Sequence, residues 1–157
     1  MGAAGGPLKF WDSSALLALA AREPSSEGVD FLLQRDPEVA FWWGAILECV
    51  GALADLRRRK LMSEAEFATA RALIEQLRAR AFEIQPSEEV RARALRILTV
   101  HPLPAGRALQ LAASLVWCRE HTQGVGFVCL DEALRLAAAQ EGFRVLPFPG
   151  EVHEPEP

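Results

Sequence analysis

Two short stretches of the chain share one chemical arrangement. Leu8-Lys9-Phe10-Trp11 is mostly apolar and stops at Asp12, with Ser13 and Ser14 next; Phe127-Val128-Cys129-Leu130 stops at Asp131, with Glu132 next. Each reads as a buried strand that delivers a carboxylate to its C-terminal end, where a helical pattern begins at once. In open α/β sheets the ligand crevice lies outside that edge. Two carboxylates brought there, within about 4–6 Å, repel unless a cation intervenes. Mg²⁺ or Mn²⁺ suits such a place, because hard cations take oxygen ligands. A helix N-cap explains either aspartate equally well. A carboxylate has two oxygens, so capping and ligation are compatible.

A third carboxylate, Glu48, sits in a helical pattern that follows Gly44. At about 100° per residue, Ile46, Val50, Leu53 and Ala54 form the apolar stripe, and Glu48 lies opposite. A solvated glutamate would explain this, but its neighbours Gly44, Gly51 and Ala52 are small, as if something must approach closely. The run Arg57-Arg58-Arg59-Lys60 is the densest positive patch. It reads as a solvated helix end, favoured by the helix dipole, with an RNA phosphate contact as the alternative. Trp42 and Trp43 could stack on a base, although a strand setting favours core packing. His101, beside a proline, reads as structural.

The elements that must position these residues alternate. Strands are expected at 8–11, 39–43, 82–86, 127–130 and 144–147, the last an edge strand because proline is tolerated there. Helices are expected at 13–21, from Ser26 to about 35, from 45 to about 60, from a Ser63/Glu66 capping box to about 81, from Ser87 to about 99, from Pro104 to about 121, and from 131 to 141 with Gly142 as the C′ residue. This is the pattern of an α/β fold, a mostly parallel twisted sheet of about four or five strands with helices on both faces. Residues 1–147 are expected to form one domain, and the acidic, proline-rich tail 148–157 to be disordered.

The totals narrow the field. The chain has 157 residues, 50% hydrophobic and 24% charged, with a formal net charge of −4. An acidic protein has no general attraction for nucleic acid, so RNA contact needs a local basic patch. Three cysteines, Cys49, Cys118 and Cys129, lie in apolar surroundings without a CxxC pair, which argues against zinc and for a reducing compartment. Residues 1–7 lack the basic start and apolar core of a signal peptide. No apolar run reaches the roughly 18 residues of a membrane span. A cytoplasmic protein with no membrane partner is expected.

Four stretches taken together resemble the PIN-domain family, in particular the toxin ribonucleases of VapBC-type toxin–antitoxin pairs: Asp12-Ser-Ser-Ala-Leu16, Glu48-Cys-Val-Gly-Ala-Leu53, Ala108-Leu-Gln-Leu-Ala-Ala113 and Phe127-Val-Cys-Leu-Asp-Glu132. The likeness runs from Lys9 to Pro147. It implies a parallel-sheet fold, an Mg²⁺- or Mn²⁺-dependent endoribonuclease with Asp12, Glu48 and Asp131 as metal ligands, and a metal-activated water attacking the phosphodiester. Ser14 matches a hydroxyl that supports such sites, whereas Cys129 stands where a threonine is common. A homodimer, an RNA substrate and a silencing antitoxin are implied as partners.

The chain departs from the pattern at Arg107, where the family carries an aspartate. A cation in the first turn of a helix also opposes the macrodipole, at a cost of about 0.3–1 kcal/mol. On a helical wheel Arg107 aligns with Gln110 and Ser114. Its guanidinium could pair with Asp12 or Glu48 and compete with a metal, or swing outward and leave three ligands. A toxin-type ribonuclease is therefore the function expected first, with a catalytically impaired interaction module as the alternative. A phosphoacceptor receiver domain is a remote third, since no lysine follows the late strand.

Overall fold

A computed structural model describes residues 9–148. Five strands, β1 (Lys9–Trp11), β2 (Val39–Trp42), β3 (Phe82–Ile84), β4 (Gly126–Val128) and β5 (Arg144–Leu146), form one sheet in the order β3-β2-β1-β4-β5. Every pairing is parallel, with Phe10 opposite both Ala40 and Phe127. Seven helices connect them: α1 (Ser13–Ala21), α2 (Ser26–Arg35), α3 (Ala45–Arg58), α4 (Glu64–Arg80), α5 (Glu88–Val100), α6 (Ala105–Trp117) and α7 (Glu132–Gln140). The expected α/β architecture is the one found.

Handedness explains the layering. From β1 the chain steps to β2 and then β3 in one direction, so right-handed crossovers place α1 to α4 on one face. It then returns to β4 and continues to β5 in the opposite direction, which sends α5 to α7 to the other. The contacts follow: α1, α3 and α4 pack together, whereas α5 lies on α6 and α6 touches α7. Covered on both faces, β2 and β4 bury every residue, as parallel strands do. Phe10 stacks on Phe127 with ring centroids 5.4 Å apart, and Phe127 meets Phe143 at 5.4 Å.

Local chemistry starts and stops the helices. Asp12, Ser63, Ser87 and Asp131 each accept a backbone amide three residues on, satisfying one of the donors a helix start leaves open. Ser63 and Glu66 form the reciprocal box expected of them, at 3.1 and 2.7 Å. Gly142, just past α7, has φ +97°, and a Cβ there would stand 2.5 Å from the Thr122 hydroxyl.

Several boundaries and faces differ from expectation. The helix expected to reach about 121 ends at Trp117, because Arg119 and Glu120 take left-handed φ and turn the chain. The strand expected at 127–130 is 126–128, since Cys129 and Leu130 already belong to the turn that presents Asp131. In α3 the buried row is Ala45, Cys49 and Leu53 rather than Ile46, Val50, Leu53 and Ala54, because the helix is wedged between α1 and α4. On α6, Gln110 and Ser114 are fully buried, whereas Arg107 on the same side is exposed. The expected disordered tail lies, apart from Phe148, outside the described residues, as does Leu8. Among the described residues no helix is long and apolar enough to cross a membrane.

Candidate functional site

The strand order makes β1 and β4 neighbours whose following helices leave to opposite faces. A crevice must open between them at their C-terminal ends, the switch point where α/β sheets bind ligands. Asp12 follows β1 and Asp131 lies just beyond β4, so both aspartates border that crevice. Glu48 arrives from the first turn of α3 and Arg107 from the first turn of α6. Together with Ser13, Ser14, Leu17, Cys49 and Ala52 they line a cleft of about 190 Å³.

Each carboxylate is held differently. Asp12 is buried, and its Oδ1 accepts from the Ser14 hydroxyl at 2.7 Å and the Ala15 amide at 3.2 Å. The Ser14 oxygen in turn accepts the Leu130 amide at 2.8 Å, stitching the end of β1 to the turn beyond β4. Glu48 accepts from the Ser13 hydroxyl at 2.7 Å and from Gln110 Nε2 at 3.3 Å. Asp131 caps α7 through Oδ1, accepting the Leu134 amide at 2.9 Å, and meets Arg107 Nη2 through Oδ2 at 2.6 Å.

The charges follow from these settings. Burial lifts the Asp12 carboxyl to about 6, against the opposing pull of its hydrogen bonds from Ser14 and Ala15. Burial also pushes Asp131 upward, but the Arg107 contact and the Leu134 amide outweigh it and the carboxyl ends below its usual range. Arg107 is raised, first by its bond to Asp131 and further by the charges of Asp12 and Glu48. Cys49 is pushed to about 12 by burial and then by Asp12 and Glu48, so it stays a neutral thiol.

Three oxygen-donor acids are the right kind of ligand for Mg²⁺ or Mn²⁺. Their arrangement does not fit such an ion. Arg107 already holds the Asp131 oxygen that faces it, and among the described residues no three His, Cys, Asp or Glu side chains stand where one ion could be held. Asp12, Glu48 and Asp131 therefore share a cleft, as expected, without forming an ion-binding set. Arg107 also selects a partner other than the two expected. Asp12 is buried and engaged by Ser14, and both Glu48 oxygens accept from Ser13 and Gln110, whereas the Asp131 capping bond uses Oδ1 and leaves Oδ2 for Arg107.

Sequence reasoning passed over Ser13 and Gln110 as members of the site. Gln110 offered a signal, a lone amide in the apolar run 108–113, and it is completely buried. Gly44 and Gly51 do not serve the cleft: a Cβ on Gly44 would stand 2.4 Å from the Trp42 ring nitrogen, while one on Gly51 would meet open space. Trp42 is core, whereas Trp43 is 43% exposed. In the basic run 57–60, Arg57 meets Glu64 and the Phe67 ring and Arg58 and Arg59 meet Asp55, while the Arg58 and Arg59 side chains stay 67% and 63% exposed. His101 is structural as expected, buried and 2.8 Å from Glu141, which Arg96 also grips through both oxygens. All three cysteines are free thiols.

Site and topology together define a doubly wound α/β protein with an acidic cleft at its switch point. It is similar to the solved structure of PAE2754 from Pyrobaculum aerophilum, with a TM-score of 0.57, covering 92% of each chain at 23% sequence identity. No known family profile matches the chain, and no curated protein does.

Proposed function

We propose that the chain is a PIN-type domain of the toxin-ribonuclease kind that keeps the cleft and the partner surfaces but does not cut RNA as it stands. The observation that carries this is the 2.6 Å contact between Arg107 Nη2 and Asp131 Oδ2, inside the cleft that Asp12 and Glu48 also line. A guanidinium bound to one of three acids removes a ligand and adds a positive charge at the place where a divalent ion would have to enter. An RNA segment, an antitoxin protein and a second copy are the partners this function entails. A cytoplasmic setting is supported by three free cysteines, two of them buried.

The second function is the active Mg²⁺- or Mn²⁺-dependent endoribonuclease. It is favoured by the convergence of acids from three separate elements on one cleft and by the partial exposure of Arg107, whose side chain is 44% open to solvent. RNA cleavage with Mn²⁺, compared for the parent and Arg107→Asp, separates the two. The impaired module predicts cleavage by Arg107→Asp alone, abolished again by adding Asp12→Ala. Strong, equal cleavage by the parent, lost in Asp12→Ala, makes the chain an active nuclease.

A further inference from the structure

We infer that Arg107 is the built-in counter-cation of the acidic cleft, a covalently attached substitute for a divalent ion that makes the folded protein indifferent to such ions. The inference deepens the impaired-module function and rests on it for the choice of cleft.

The placement of Arg107 is unexplained by its own helix. It stands in the first turn of α6, where the helix dipole disfavours a cation, and no acid occupies that turn. Its partner comes from the start of α7 instead, across the cleft, and the charges of Asp12 and Glu48 act on it as well as Asp131. Glu48 is itself drawn against the same helix start: a Cβ on Gly106 would lie 3.5 Å from Glu48 Oε1, and Gln110 one turn later donates to that oxygen. The N-terminal turn of α6 and its arginine thus supply the positive side of the cleft, and α1, α3 and α7 supply the negative side. With the guanidinium removed, Asp12, Glu48 and Asp131 share the cleft with no side-chain cation lining it among the described residues. Like charges gathered in one cleft then disfavour the fold unless an outside cation enters.

The parent, Arg107→Ala, Arg107→Asp and Arg107→Lys are compared by thermal unfolding with and without millimolar Mn²⁺, and by Mn²⁺ binding read from its electron paramagnetic resonance signal. The parent and Arg107→Lys should unfold at temperatures that Mn²⁺ does not shift and should show no saturable Mn²⁺ binding. Arg107→Ala and Arg107→Asp should unfold at lower temperature without Mn²⁺, recover on adding it, and bind the ion at least about tenfold more tightly than the parent. Parent and Arg107→Ala binding Mn²⁺ equally would overturn the inference, as would equal stability of the two without the ion. Should Arg107→Ala fail to fold even with Mn²⁺, Arg107→Lys decides: a Mn²⁺-dependent melting temperature in that charge-keeping variant also overturns it. None of these readouts requires RNA cleavage. Absence of cleavage in every variant counts against the ribonuclease fold-function assignment, and leaves the ion comparison intact.

Discussion

The amide of Leu130 donates to the Ser14 hydroxyl at 2.8 Å across a sequence separation of 116 residues, and the same hydroxyl donates to Asp12 at 2.7 Å. One oxygen thereby joins the two aspartate-bearing turns on either side of the switch point. Ser14→Ala should leave a partly buried amide and a buried carboxylate each short of a partner, costing about 1–3 kcal/mol in urea unfolding. Ser13→Ala, which removes an exposed bond to Glu48, should cost well under half as much. Equal effects of the two changes would show that the bridge contributes nothing special.

Asp12 sets a pH dependence. Its carboxyl is lifted to about 6 in the fold, chiefly by burial, so the folded protein holds this proton more tightly than the unfolded chain does. A raised carboxyl stabilises the fold at low pH, and that contribution fades as pH rises from about 4 through about 6. Asp12→Asn keeps the acceptor for Ser14 and Ala15 and carries no charge to bury. It should therefore stabilise the protein above pH 7, by about 1–3 kcal/mol at the usual 1.4 kcal/mol per pH unit, and be near neutral at pH 4. A destabilised Asp12→Asn at pH 8 would mean that the cleft supplies the ionised carboxylate with more compensation than burial removes.

Arg135 fixes the far side of the crevice. Its guanidinium donates to the carbonyls of Cys129 at 2.6 Å, Leu146 at 3.1 Å and Pro147 at 2.8 Å, three carbonyls on the two segments leaving β4 and β5. Arg135→Ala should cost about 2–4 kcal/mol, since charge-assisted bonds to partly buried carbonyls are lost together. Arg135→Lys should recover only part of that, because an ammonium cannot reproduce the planar fork. Guanidine unfolding midpoints of the three proteins provide the comparison, and full rescue by lysine contradicts the geometric argument.

Gly44 makes room for Trp42. A methyl group at Gly44 would stand 2.4 Å from the indole nitrogen and 3.0 Å from the adjacent ring carbon of a buried side chain. Gly44→Ala should destabilise by about 1–3 kcal/mol, as overpacking does. Gly51→Ala, placed in open space on the same helix, should be neutral or slightly stabilising through better helix propensity. Melting temperatures that move together would remove the distinction.

The strands and caps were legible because each is a local matter. Asp12 and Asp131 cap the helices that their neighbouring residues announce, and Ser63 with Glu66 needs only a spacing of three. Parallel pairing followed from the alternation of elements. The pairing inside the cleft was hidden, because it depends on side-chain reach across elements 62 residues apart for Gln110 and Glu48 and 35 apart for Ser13 and Glu48. The wheel placed Arg107 on the same face as Gln110, but no wheel shows that capping leaves Asp131 Oδ2 for Arg107 whereas both Glu48 oxygens accept other bonds and Asp12 is buried. The α3 stripe was misjudged for a related reason: packing against both α1 and α4 decides which row is buried, and the wheel contains neither neighbour.

Asp12 and Asp131 each devote one oxygen to starting a helix. Folding thus asks for a capping oxygen at these two positions whatever the cleft is used for. A descendant chain that had abandoned all chemistry would still keep aspartate or asparagine at both, while Glu48, which caps no helix, could drift without unwinding anything. Among relatives of this chain, then, a retained pair of capping side chains at 12 and 131 reports on architecture, and the informative positions for a working or silent cleft are 48 and 107.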